Sequence, residues 1–481
     1  MKNQHPFYGR KEELKILKEE FDKKSSSLIV IHGRRRIGKS RLIEEFGQNL
    51  NTVHLSGLPP TIKTTNVSEQ LVFSRQMTQA LKIPLIRSED WSELFWHLSR
   101  ETASGKWLIV FDEISWMGSK DPDFLGKLKN AWDLQFSKNP HLMLIICGSV
   151  SSWIEKNILS NTGFLGRISI DLVLEELPLI DCLKFWRKTK ERLSPYEFFK
   201  VLSVTGGVPK YLEEILPEQS AETNIQRLCF KPQGLLFREF EQIFSDLFSR
   251  RSALYKKIIS LLVNTPQTLD ELCKKLKMKK GGVLSGYLSN LEEAGFIKSD
   301  WTWNIKSHKI SNLRKYRIID NYIRFYLKYI APKKALIQQQ NFAPELLTCL
   351  PSWNVSMGYQ FENLVIANRK SLYQSLQLKP SDVLIANPFF QRKTNRTKGC
   401  QIDFMIQTRQ RNLYLIEIKF SESKIGTFVL KEIQEKMQRI TLPRGVSIRT
   451  ALVHINGVTE EVKRSPVLDF IVDFSDLLKG T

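Results

Sequence analysis

The chain has 481 residues, with 72 Lys and Arg against 50 Asp and Glu, for a formal net charge of +22. Its 42% hydrophobic and 25% charged content is that of ordinary globular protein and excludes a largely disordered or fibrous chain; the length suggests about three domains. The longest apolar runs fall far short of the ~20 residues that span a bilayer. The amino-terminal stretch MKNQHPFYGRKEE lacks an apolar signal core, and the six cysteines form no CxxC pair, so a reducing, cytoplasmic setting is expected. Charge is distributed unevenly. Residues 1–250 hold 35 Lys and Arg and 31 Asp and Glu, a net of +4, whereas residues 251–481 hold 37 and 19, a net of +18. A polyanionic partner is therefore expected of the second half specifically.

From the amino terminus, apolar runs at 28–32, 52–55, 107–112, 142–147 and 168–174 predict buried strands, and the patterns at 12–21, 40–48 and 91–100 predict helices between them. This alternation implies an α/β fold with a parallel sheet. The pattern becomes helical from 178 to about 248, broken at Gly206, Gly207 and Pro209. Three short helical patterns and a Trp-rich strand pair occupy 252–330, and a helix at 358–369 precedes strands at 383–390, 402–407 and 413–420. The expected domains are an α/β core (1–175), a helical segment (176–250), a helix-and-strand segment (251–335) and a second α/β domain (350–481).

Gly33-Arg34-Arg35-Arg36-Ile37-Gly38-Lys39-Ser40 fits GxxxxGK[ST] between a strand and a helix, the context in which that motif binds nucleotide phosphates. Backbone N–H groups would cradle the phosphates, Lys39 would reach the β/γ-phosphates, and the Ser40 hydroxyl would hold Mg²⁺ of bound ATP. The strand ending Phe111-Asp112-Glu113 supplies Asp112 for the Mg²⁺ and Glu113 to polarise the attacking water. Ser149, after the next strand, either contacts the γ-phosphate and water or caps a helix at 151–154. Arg167, in the loop GFLGR, either acts on a phosphate in cis or trans, the latter requiring an oligomer, or makes a surface ion pair.

Together with Phe7-Tyr8-Gly9-Arg10, Glu13-Leu14 and the segment TGGVPKYL at 205–212, these motifs resemble the archaeal-type P-loop ATPase family near the AAA+ and STAND groups, over residues 5–240. The resemblance implies that Phe7, Tyr8 and Arg10 line the adenine and that the GGxPxYL segment belongs to a helical lid. The pattern at 252–330 resembles a winged helix, whose third helix enters the major groove. Lys279, Lys280, Trp301, Trp303 and Lys306 are its candidate nucleic-acid contacts, pairing phosphate attraction with stacking surface; a protein-interaction module is the competing reading.

Farther on, Asp403 lies on one apolar strand and Glu417 and Lys419 on the next. Glu417 and Lys419 are two apart and share a strand face. Two carboxylates and an ammonium on an apolar sheet are costly unless they bind something, and Mg²⁺ is the obvious ligand. The spacing resembles the PD-(D/E)XK nuclease superfamily, with Ile402 where its signature has Pro; Glu362 matches an additional acid of that superfamily. Arg392, Lys393, Arg396 and Lys398 precede Asp403, where a nucleic-acid backbone could approach. The function expected is ATP binding and hydrolysis coupled to binding of DNA, with RNA also open, and Mg²⁺-dependent cleavage. The alternative is an ATP-dependent switch that binds DNA or a protein without cutting.

Overall fold

The computed structural model describes residues 6–59, 61, 63–149, 151–248, 252–279, 281–393 and 398–479. It divides into two compact units, Met1–Glu176 and Leu177–Thr481.

The first unit is built on five strands, β1 (Ser27–His32), β2 (Asn51–Ser56), β3 (Trp107–Asp112), β4 (Leu142–Gly148) and β5 (Ile168–Val173). All are parallel, in the order β2-β3-β4-β1-β5. Each lies within one residue of its predicted bounds. The reason is visible in their composition: β1 and β4 are buried along their whole length, so they must be apolar on both faces. Helices Asn66–Leu81, Trp91–Glu101 and Phe124–Leu134 build one apolar layer, around Phe73, Trp91 and Phe95. Helices Lys11–Phe21 and Lys39–Gly47 contribute Leu17, Leu42 and Ile43 to the other.

The second unit opens with helices Pro195–Thr205, Ala221–Cys229 and Leu235–Phe248. Helices Ser252–Leu262, Leu269–Leu276 and Gly282–Glu293 lead into an antiparallel pair, β6 (Ile297–Trp303) and β7 (Ile310–Ile318), while Gln267 bridges Tyr316 on β7. Helix Trp353–Ala367 precedes a mixed sheet of β8 (Val383–Gln391), β9 (Cys400–Thr408), β10 (Asn412–Ile418), β11 (Ser447–His454) and β12 (Phe470–Asp473). β9 pairs antiparallel with both β8 and β10, whereas β11 pairs parallel with both β10 and β12.

The helices expected to form a separate lid share their core with the rest of this unit. The Phe199 ring lies 5.5 Å from Phe361 and 6.1 Å from Phe474, and Tyr211 lies 5.3 Å from Tyr322. The Gln360 amide donates to Ser203 O at 2.9 Å and to Asn321 O at 2.8 Å, closing a polar link between helices far apart in sequence. One apolar cluster thus runs from Leu177 to Leu477.

Among the described residues no helix is long and apolar enough to cross a membrane. The cysteines are free thiols, all buried except Cys349.

Phe199→Ala should destabilise the second unit by about 3–5 kcal/mol. Because the core is shared, chemical denaturation followed by probes in the helical segment and in the carboxyl-terminal sheet should report the same shifted transition.

Candidate active site

The loop after β1 is shaped by its glycines. Gly33 has φ 146°, and a Cβ there would sit 2.4 Å from Leu174 O. Gly38, at φ 90°, precedes helix Lys39–Gly47, a left-handed position that side chains resist. Lys39 is buried, and its ammonium donates to Gly33 O at 3.0 Å and Arg34 O at 3.1 Å. Burial lowers its pKa, against the pull of Cys147, Glu113 and Asp112. Arg35 and Arg36 are half-buried and Ile37 is fully buried.

Strand order places β4 between β1 and β3, so the loop, Ser149 and the Asp112-Glu113 pair all emerge at one carboxyl edge. The Ser40 hydroxyl donates to Asp112 Oδ2 at 2.9 Å. Burial would raise the Asp112 pKa, but hydrogen bonds from His54 and Ser40 outweigh it and hold the carboxyl below its usual range. A hydroxyl and an ionised carboxylate converging on one point are a donor pair suited to Mg²⁺. His54 Nε2 stands 3.5 Å from the same Asp112 oxygen. Nothing in the alternating β2 sequence singled it out, because the contact depends on β2 pairing with β3.

Glu113 adopts a left-handed backbone, φ 51°, which turns its carboxylate toward β4. Ser149 holds both of its oxygens: the hydroxyl donates to Oε1 at 2.7 Å and the backbone N–H to Oε2 at 3.2 Å.

Three other first-unit candidates have their partners fixed by the fold, and Arg167 makes the ion pair that was one of its two expected roles. Arg10 is buried; its guanidinium bonds Ile37 O at 3.1 Å, Glu175 O at 2.6 Å and Glu13 at 3.0 Å. It thereby ties the phosphate loop to the end of the unit. Arg34 pairs with Glu176 at 3.0 Å. Arg167 forms a bidentate pair with Asp133, at 2.6 and 2.8 Å, 34 positions away and outside any motif. Phe7 and Tyr8 are half-buried beside the loop's helix, with the Arg41 guanidinium 5.9 Å from the Phe7 ring centre.

In the second unit, β9 and β10 pair antiparallel and bring Asp403 beside Glu417. Asp403 Oδ2 accepts the Ile418 N–H at 2.9 Å. Burial, with repulsion from Glu417 and Glu362, pushes the Asp403 pKa far up. Burial also raises that of Glu362, against the attraction of Arg317. Glu362 lines a small pocket with Arg317, Arg324 and Tyr359. Glu417 is 3% exposed. Its two oxygens take Lys436 Nζ at 2.5 and 2.7 Å, and Oε1 also takes Lys419 at 3.1 Å. Lys419 pairs further with Glu432 at 2.9 Å; burial lowers its pKa, but Glu417 and Asp403 raise it more. Among the described residues no group of three or more His, Cys, Asp or Glu side chains converges to hold a metal ion. The carboxylates as placed therefore do not fit a ready metal centre.

The expected nucleic-acid contacts separate into two kinds. Lys279 and Lys306 are exposed, and Lys280 lies outside the described residues. Trp303, by contrast, is 3% exposed. Its indole N–H donates to Gln407 Oε1 at 2.7 Å, and its ring packs 5.3 Å from Phe389. Trp301 is half-buried, and its carbonyl accepts the Asn387 amide at 2.6 Å. Trp303 therefore has no free face for stacking on a base; it docks β6 onto the carboxyl-terminal sheet.

Residues 7–215 match the family described as an ATPase domain predominantly from Archaea. A protein of Methanocaldococcus jannaschii is 28% identical over 367 residues, 74% of this chain and 76% of the relative. The Walker-type ATPase of Pyrococcus abyssi is similar at 17% identity and TM-score 0.46, over 68% of this chain and 99% of its own. The ORC2 protein of Aeropyrum pernix, in ADPNP–ADP complexes, is similar at 13% identity and TM-score 0.40, over 70% and 97%.

Arg10→Ala should destabilise the first unit by about 1–3 kcal/mol, since it leaves buried carbonyls unpaired. A thermal melt that does not move would show the Arg10 contacts to be idle.

Proposed function

We propose that this protein binds and hydrolyses ATP in its first unit and uses the nucleotide state to control nucleic-acid binding by its second. The observation that carries the ATPase reading is the convergence of Ser40 on Asp112, 2.9 Å apart, beside the phosphate-binding loop; the family match over residues 7–215 supports it. The N–H groups of the loop and Lys39 would receive the phosphates, with Phe7 and Tyr8 toward the base. Mg²⁺ held by Ser40 and Asp112 would supply positive charge against the phosphates. Glu113, released from Ser149, would accept the proton of the attacking water. Ser149 thus has a positioning role, keeping the general base turned aside until it is needed.

The nucleic-acid half of the proposal rests on charge. Residues 251–481 carry the net +18, which favours a polyanionic partner, DNA first and RNA also. The order of helices, the Gln267 bridge and the β6–β7 pair is that expected of a winged helix, and Lys279 and Lys306 are exposed on it. Of the two readings of the carboxyl-terminal site, binding without cleavage is favoured by the engagement of both Glu417 oxygens by Lys436. Metal-dependent cleavage through Asp403, Glu417, Lys419 and Glu362 is favoured by the adjacency of Asp403 and Glu417 across β9 and β10.

Two measurements test this function. Lys39→Ala should abolish ATP turnover, and Glu113→Gln should cut it by at least about 10²-fold while nucleotide still binds; turnover that survives both changes refutes the ATPase assignment. Duplex or single-stranded DNA retention should fall steeply between about 50 and 200 mM salt and weaken with Lys279→Glu/Lys306→Glu. A flat salt response would point instead to a protein partner. Cleavage by wild type with Mg²⁺ that is lost in Asp403→Ala/Glu417→Ala would decide for the cutting reading.

A further inference from the structure

We propose that Lys436 is a built-in counter-ion that takes the place of a divalent cation at Glu417, so that the Asp403–Glu417 pair is a salt-bridged site which accepts a metal ion only when Lys436 is withdrawn. The proposal rests on the placing of Asp403 and Glu417 as the nuclease-like pair, and it adds a residue that no motif marked.

Four side chains carry it. Lys436 Nζ lies 2.5 and 2.7 Å from the two oxygens of Glu417. Lys419 Nζ lies 3.1 Å from Glu417 Oε1 and 2.9 Å from Glu432 Oε2. Two carboxylates and two ammonium groups therefore balance within one contact network. The bidentate geometry matters. A Mg²⁺ ligated by a carboxylate needs an oxygen at about 2.0–2.1 Å, in the same space the ammonium fills. A cation entering beside Lys436 would meet its charge; a cation displacing Lys436 would leave a partly buried ammonium without its partner, which is costly.

Nor is Lys436 a surface lysine that folds onto the nearest acid. It projects from helix Phe428–Arg439 on the face that is buried through Val429 and Ile433, seven and three positions before it. The end of that helix is tied to β8 by the Gln391 amide, which donates to Arg439 O at 2.9 Å. Glu432 and Lys436 are one helical turn apart, so they present an acid and a base side by side to Lys419 and Glu417. The lysine side chain is 21% exposed and its partner 3%, so little water competes for the contact. A movement of this helix is what would exchange the internal ammonium for an external cation.

The test is a Mn²⁺ titration of the full-length chain, followed by the electron paramagnetic resonance signal of free Mn²⁺. It is run without nucleotide in the Lys39→Ala background, to keep the nucleotide site from contributing. The parent should show no Mn²⁺ binding that depends on Glu417. Lys436→Met should gain a Mn²⁺ site at least about tenfold tighter, the scale on which partners of a metal ligand act, and Lys436→Met/Glu417→Gln should lose it.

Glu417-dependent Mn²⁺ binding by the parent as tight as that of Lys436→Met overturns the proposal. So does a folded Lys436→Met that gains no site. Should Lys436→Met fail to fold, Lys436→Gln is read in its place, and thermal unfolding of the parent gives a second readout: Mn²⁺ stabilisation that Glu417→Gln removes overturns the idea without any Lys436 variant. Failure here leaves ATP turnover and DNA retention untouched, whereas failure of the proposed function appears in those assays and not in this one.

Discussion

The insertion of β4 between β1 and β3 is the constraint on which the nucleotide site depends. If β3 paired directly with β1, the phosphate-binding loop and the Asp112-Glu113 pair would be neighbours with no strand between them. The intervening strand supplies Ser149 at the same edge, and Ser149 is what holds Glu113. The same arrangement buries Asp112 next to Ser40, His54 and Lys39, where a carboxylate keeps its charge only because hydrogen bonds outweigh desolvation. The edge is thus set electrostatically by packing, with Asp112 ionised and the Glu113 carboxylate turned toward Ser149.

The second unit solves a related problem differently. Its sheet carries Asp403 and Glu417 on adjacent strands, and the charge of Glu417 is met from the protein's own side chains rather than by convergence of further acids. Glu362 shares a pocket with Arg317 and Arg324. Around these residues acid and base stand close together, which lowers the penalty of leaving water.

How much of this was legible in the sequence depends on how local the cause is. The five parallel strands were, because burial on both faces demands unbroken apolar runs. The phosphate-binding loop was, because its glycines answer to backbone geometry within eight residues. Helix Asn66–Leu81 was not: its buried face includes Glu69, Gln70 and Ser74, which blur the apolar period. Arg167 with Asp133, and Lys436 with Glu417, are pairings between elements that no spacing announces. Trp303 misled for a physical reason, since an aromatic beside lysines has the same composition whether it stacks on a base or plugs a gap between two sheets. The core that the helices of 195–248 share with the carboxyl-terminal sheet was hidden for a similar reason, as helical periodicity reports an apolar face but not what covers it.

The last residues of the first unit give it a mechanical property. Arg10 and Arg34, which frame the phosphate-binding loop, grip the last two residues of the first unit, Glu175 and Glu176. The next residue, Leu177, is already buried, with its N–H bonded to Gly207 O at 2.8 Å. A shift of the phosphate-binding loop therefore pulls on the closing residues of its own unit, so that Glu175 and Glu176 act as a gauge of where the loop stands.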